Sequence, residues 1–230
     1  MEMRKKVLLI GFLITLFLFL SILAIGAIMD SKRQDNIDLQ FEGMYKDIND
    51  IQQMTLMSEV YGQSMACIAF KTKLQELDKK VWNMGIKLEQ YRVASEEFQK
   101  NPYYLDQKKT FNENELTYMT ILTKIKSTCE YHQPVISFFY KNADECQKCD
   151  SQSFVLTDVN EQLKENVSIF SFDMDLNIST LNLMTEYYKI DQYPCIVIDE
   201  VPYCGIRDKN FILKKICEDE NISGCSEILK

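Results

Sequence analysis

A run of 23 residues without a single charge, positions 7 to 29, decides most of what this chain can become. As a helix it extends about 34 Å, enough to cross the hydrocarbon core of a bilayer. Arg4, Lys5 and Lys6 precede the run, whereas Asp30, Lys32, Arg33, Asp35 and Asp38 mix both signs after it. The positive-inside rule then leaves residues 1–6 in the cytoplasm, a transmembrane signal-anchor at 7–29, and everything from residue 30 onward outside a cell membrane crossed once. A cleaved signal peptide is the competing reading, because small residues stand at Ala24, Gly26 and Ala27. Both readings deliver the rest of the chain to an oxidising compartment, and whether the segment is removed stays open.

The cysteine count fits that delivery. The 230-residue chain has eight cysteines, all beyond residue 60, an even number at a density expected where disulfides persist. Without residues 1–29 the chain keeps 23 basic and 33 acidic side chains, a formal charge of −10. So acidic a chain cannot neutralise phosphates, which argues against nucleic acid or an anionic lipid surface as a main partner; the membrane contact is the N-terminal helix. Asn166-Val-Ser168, Asn177-Ile-Ser179 and Asn221-Ile-Ser223 match the acceptor pattern for N-glycosylation and lend weak support to an outward location.

From Asn36 to Lys100 there is no proline, and apolar residues recur at helical spacing. Ile37, Phe41, Met44, Ile48 and Ile51 form one stripe, and Leu74, Leu77, Val81, Met84, Leu88 and Tyr91 another. Such seams belong to helices packed side by side, either as mutual core or as a coiled-coil segment that binds a partner. A turn near Tyr61-Gly62-Gln63-Ser64 makes an antiparallel hairpin, and Pro102 closes its second helix. A third helix is expected to begin near Asn112, where Asn112 and Glu115 have capping-box spacing, and to run to about Cys129.

At Gln133-Pro134 the pattern changes. Val135 to Tyr140 is a short apolar run rich in β formers, as in a buried strand. Cys146-Gln-Lys-Cys149 follows, expected to open a helix whose first turn favours a thiolate. A strand at Val167–Phe172, a helix at Thr180–Tyr188, two strands at Cys195–Ile198 and Val201–Tyr203 around Asp199-Glu200, and a helix at Lys209–Cys217 complete the order. Tyr193-Pro194 stands just before the third strand, a plausible place for a cis-proline.

With VISFFY, CQKC, the loop YKIDQYP before CIVI, the hairpin ending at Gly205 and the last helix FILKKIC, the stretch from Pro134 to Cys217 resembles the thioredoxin fold family. The expected architecture is a C-terminal α/β thioredoxin-like domain at 133–230 with its tail, preceded by an all-α hairpin or three-helix region at 30–132 and one N-terminal transmembrane helix. The resemblance implies that Cys146 is the attacking thiolate, Cys149 the resolving thiol and Pro194 the cis-proline against the pair. Tyr193 would offer its backbone to a substrate strand. It also implies client proteins with thiols or disulfides, no cofactor, and a redox partner in the membrane. The chain departs from the family pattern in three places. Glu145 replaces the aromatic residue before the first cysteine, Gln147-Lys148 replaces Gly-Pro, and Phe138 replaces the buried acid of the preceding strand. Lys148 lowers the pKa of Cys146 while Asp144 and Glu145 raise it, so the direction of exchange, oxidase, isomerase or reductase, is not legible.

If Asp199-Glu200 is a two-residue turn, Cys195 lies opposite Cys204, and a structural bond, free buried thiols and a second redox pair all remain open. Cys217 and Cys225 enclose a short clasp, which leaves Cys67 and Cys129 to tie the helical hairpin to the third helix. Sequence alone does not establish this connectivity. A metal site is disfavoured, since zinc wants four ligands and the chain has one histidine, His132. Two functions remain: a membrane-anchored extracytoplasmic thiol-disulfide oxidoreductase, or a non-catalytic binding or assembly protein whose CxxC is structural. Clients and oligomeric state are not encoded legibly.

Overall fold

The computed structural model describes residues 2–94, 100–129, 132–142, 144–219 and 225. The chain is mostly helical, with a small mixed sheet of four strands toward its C-terminal end. It divides into two compact units, Met1–Gly43 and Met44–Lys230.

The first unit lies within helix α1 (Glu2–Tyr61). Residues Leu9–Ile28 have a mean hydropathy of 2.7 and are long and apolar enough to cross a membrane. Their side chains are uncovered, Phe17 and Ile22 at 70% and 69% exposure, which suits a lipid surrounding and would be costly in water. The helix does not stop at Met29, because residues 30–36 contain neither proline nor glycine to end it.

In the second unit, Gly62 sits between α1 and α2 (Gln63–Ala94) at φ +95°, a left-handed conformation that glycine adopts freely, and it reverses the chain. Lys73 and Lys80 both bind Asp47 across the resulting hairpin. Met44, Ile48 and Ile51 are buried, as are Leu74, Leu77, Val81, Met84 and Leu88; the side chains of Ile37 and Tyr91 lie outside the described residues. The third helix corrects the sequence reading. It runs Pro102–Cys129 (α3), ten residues earlier than expected, and Pro102 opens it instead of closing α2. Asn101 caps it, its Oδ1 accepting from the Tyr103 N–H at 2.9 Å, and proline fits the first helical position because no intrahelical bond needs its nitrogen.

The sheet has the order β2-β1-β3-β4, built from β1 (Val135–Tyr140), β2 (Ser168–Asp173), β3 (Cys195–Ile198) and β4 (Val201–Cys204). β1 and β2 are parallel; β1–β3 and β3–β4 are antiparallel. Asp199 and Glu200 both have positive φ, the primed turn that matches strand twist, and so Cys195 pairs with Cys204. The parallel pair is crossed by α4 (Cys149–Leu163), and α5 (Ser179–Tyr188) and α6 (Lys209–Asp219) complete the order.

Each face of the sheet has its own cover. Ile136, Phe138, Ile169, Ile196 and Ile198 cluster with Leu156, Val159 and Leu163 of α4 and with Ile212, Leu213 and Ile216 of α6. On the other face Tyr118 of α3 meets Phe170 edge to face with ring centres 5.5 Å apart, and the Ser137 hydroxyl reaches the Met119 sulphur at 2.9 Å. The expected boundary at 132/133 thus falls inside one compact unit.

Candidate active site

The chain leaving β1 turns around Asn142. Its carbonyl accepts from the N–H groups of Glu145 at 3.2 Å and Cys146 at 2.8 Å, and its side-chain oxygen accepts from the N–H groups of Asp144 and Glu145. Its own N–H donates to Asp175 Oδ2 at 2.7 Å, so the segment after β2 braces the turn. Asparagine suits this place because its short amide can bond the backbone a few residues on.

Cys146 and Cys149 are joined by a disulfide with Cα atoms 5.4 Å apart. Cys146 does not open the helix, which corrects the sequence reading: α4 starts at Cys149, and Lys148 is its N-cap. Asn142 holds Cys146 in the preceding turn, and the Cys149 N–H donates back to the Cys146 carbonyl at 3.2 Å. Both cysteines are buried among the side chains between the sheet, α4 and α6, at 5% and 3% exposure. Phe138 shares that cluster and stacks on Tyr140, so the strand beneath the disulfide offers an aromatic ring and no acid.

The loop before β3 reaches the same end of the sheet, because β3 starts at Cys195 opposite Phe139, one residue from the end of β1. Pro194 is buried there, with a cis bond from Tyr193, and its carbonyl accepts from the Gly205 N–H at 2.8 Å. Tyr193 is half-buried with its ring 5.8 Å from Lys141 Nζ. Burial pushes the Tyr193 phenol above its ordinary value, Lys141 works against this, and Asp175 adds to it. Glu145 pairs with Lys141 at the exposed rim, so its charge is met by a cation other than Lys148, which is itself exposed.

Two residues without a motif frame the site. Gln152, one turn beyond Cys149, is fully buried, and its Oε1 accepts from the Arg207 N–H at 2.7 Å. Arg207 in turn donates from Nη2 to the Cys204 carbonyl at 2.9 Å and lies over the Phe211 ring. The cysteine helix is thereby tied to the connection after β4, which is tied through Gly205 to Pro194. A glutamine at the third position after Cys149 was the one available sequence signal, and it is indistinguishable from a surface residue until the neighbouring elements are placed.

The other cysteines also pair: Cys67 with Cys129, Cys195 with Cys204, and Cys217 with Cys225, at Cα separations of 5.4, 3.9 and 5.5 Å. Cys195 adjoins Pro194 in sequence but not the disulfide of Cys146 in space. Side chains alternate along β3, and Ile196 and Ile198 point into the cluster that holds Cys146 and Cys149, so Cys195 points away through the sheet. The Cys195–Cys204 disulfide is thus on the face of the sheet opposite the Cys146–Cys149 pair. His132 is exposed, and among the described residues no group of three or more histidine, cysteine or acidic side chains could hold a metal ion.

Two buried carboxyls lie elsewhere. Asp78 accepts from Tyr118 O–H at 2.8 Å, Gln133 Nε2 at 2.7 Å and Ser168 O–H at 2.9 Å. The residue is half-buried overall but its carboxyl is enclosed, and burial pushes it up to about 6 against those three bonds. Ser168 pairs with Val135 at the start of both parallel strands, the end of the sheet opposite Cys146. Glu115 is buried at the β2 edge, where burial drives it well above the usual carboxylate range against a bond from the Ser171 N–H.

No model of a known protein family matches the chain, and neither does any curated protein. Among solved structures, one described as the structure of a malarial protein matches 39% of this chain and 99% of its own length, at 13% identity and a TM-score of 0.33, a likeness too slight to carry an argument.

Proposed function

We propose that the chain is a membrane-anchored, extracytoplasmic thiol-disulfide oxidoreductase of thioredoxin-like fold, its N-terminus cytoplasmic and the chain from residue 30 onward outside. The observation that carries this reading is a convergence at one end of the sheet: a disulfide at the junction of β1 and α4, beside the Pro194 loop that enters β3. The strand-helix-strand-helix-strand-strand-helix order from Val135 to Asp219 supports the fold the resemblance implies. The N-terminus of α4 favours negative charge on a sulphur at that end, as a leaving or attacking thiolate requires.

In the proposed cycle a client thiolate attacks Cys146; the Cys146–Cys149 bond breaks, a client–Cys146 disulfide forms, and Cys149 leaves as a thiolate. A second client thiolate then displaces Cys146, giving a client disulfide and the reduced pair. A membrane redox partner restores the pair by removing two electrons and two protons. Reduction runs the sequence backwards; isomerisation begins as reduction does, with the reduced Cys146 thiolate attacking a client disulfide and releasing a client thiolate, and ends when a client thiolate displaces Cys146 to form the new client disulfide.

A second reading has one specific observation behind it. With Cys146 at 5% and Cys149 at 3% exposure, the pair is packed like a structural bond in a binding or assembly protein. Trapping separates the two. In cells, the Cys149→Ser variant should accumulate mixed disulfides with clients and Cys146→Ser should accumulate none. Negligible trapping in both, together with a potential below about −300 mV, the range of structural disulfides, would sink the catalytic reading.

A further inference from the structure

Of the three glycosylation triplets, the one at Asn221 lies outside the described residues, and the other two differ sharply in their surroundings. Asn166 is half-buried in a short 3-10 helix, and its Nδ2, the atom that would carry a sugar, donates to the Leu163 carbonyl at 3.0 Å. The hydroxyl of that triplet is worse placed: Ser168 is 2% exposed, and its Oγ is engaged by Asp78 and Gln133. A glycan at Asn166 would have to displace both ends of this network.

Asn177 is exposed and stands at φ +49°, the left-handed turn that closes the 3-10 helix Met174–Leu176, a conformation asparagine tolerates better than most side chains. Its Oδ1 accepts from Asn182 Nδ2 at 3.0 Å, which orients the amide and leaves Asn177 Nδ2 without a partner among the described residues. Ser179 is exposed as the first residue of α5. Asn177 and Ser179 line one wall of an open groove of about 360 Å³ whose other wall carries Lys109, Glu113 and Thr117 of α3. There is room for a first sugar, and polar groups to meet it.

We infer that Asn177 is an N-glycan attachment site and that Asn166 is not. The donor is a lipid-linked oligosaccharide. The bond between its anomeric carbon and the phosphate oxygen breaks, and the phosphate leaves with the electron pair. The anomeric carbon bonds to Asn177 Nδ2, which gives up one proton. The inference rests on the outward orientation proposed above, so the experiment reads the two separately.

The full chain is expressed in a host that glycosylates exported proteins, in an Asn221→Gln background, with one added Asn-Xaa-Thr triplet on a polar extension after Lys230 as a reporter. Glycans are counted by intact mass before and after enzymatic deglycosylation. Two glycans are expected on this parent, two on Asn166→Gln and one on Asn177→Gln. Ser179→Ala should also carry one, and it leaves the Asn177 turn untouched. A parent glycosylated on the reporter alone, or a glycan lost from Asn166→Gln and kept by Asn177→Gln, overturns the site while the orientation stands. An unmodified reporter overturns the orientation and the site with it.

Discussion

Asp78 shows how far a single residue's environment can depart from its chemistry. An aspartate on the second turn of a helical stripe reads as a solvated charge, yet its carboxyl is enclosed by Tyr118, Gln133 and Ser168, and its pKa rises to about 6. A group whose folded pKa lies above its unfolded value of about 3.9 favours folding when protonated. That contribution is complete below the unfolded value and is lost as pH rises through 6. Lowering the pH from 8 to 5 should therefore raise unfolding free energy through this group by about 1–2 kcal/mol. In denaturant titrations the Asp78→Asn variant should lack that share of the slope; an identical slope would show the carboxyl to be solvated. Residues at the disulfide divide similarly. Cys146, Cys149 and Pro194 were legible from local pattern, whereas Asn142, Gln152 and Arg207 do their bracing across elements and have no signature of their own.

Among the elements, α3 departs most from the sequence reading, and the reason lies in what it covers. Asn112 and Glu115 have the spacing of a helix start, but they are bound to β2 in the middle of α3. Asn112 Oδ1 accepts from the Asp173 N–H at 2.8 Å, Asn112 Nδ2 donates to the Ser171 carbonyl at 3.4 Å, and Glu115 Oε1 accepts from the Ser171 N–H at 3.3 Å. Lys108 completes the row through a buried ion pair with Asp173. β2 is an edge strand, and an uncovered edge invites pairing with another chain; here the helix satisfies its outward backbone groups. Replacing Asn112 with alanine leaves the Asp173 N–H and the Ser171 carbonyl without their side-chain partner, at a cost of about 1–3 kcal/mol. The denaturation midpoint should fall accordingly, and light scattering should reveal self-association of the variant. A variant as stable and as monodisperse as the parent would show that water replaces the amide.

At the largest scale, within the unit Met44–Lys230, the helices α2 and α3 are fastened to the sheet. Tyr118 packs on Phe170, Met119 on Ser137, Asp78 holds Ser168, and Lys126 binds Asp199 at 2.7 Å in the hairpin turn. A fragment of residues 133–230 would strip the Tyr118 ring from Phe170, at 1% exposure in the intact chain, and the Asp78 carboxyl from Ser168. It should therefore lack a cooperative thermal transition, whereas residues 44–230 should show one; calorimetry of both checks this, and a cooperative transition in the short fragment would show that the sheet stands alone. By itself the sequence determined the apolar helix, the strand and helix order after Pro134, and the place of the turn at Asp199-Glu200 that, if two residues long, sets Cys195 opposite Cys204. These are settled by periodicity, turn chemistry and short spacing, which act within a few residues. Only the tertiary structure decided that α3 guards the β2 edge, that Asp78 is enclosed, and that Cys195 and Cys146 face opposite sides of the sheet. Those outcomes depend on which surfaces meet, and burial acts between residues that the chain separates by tens of positions.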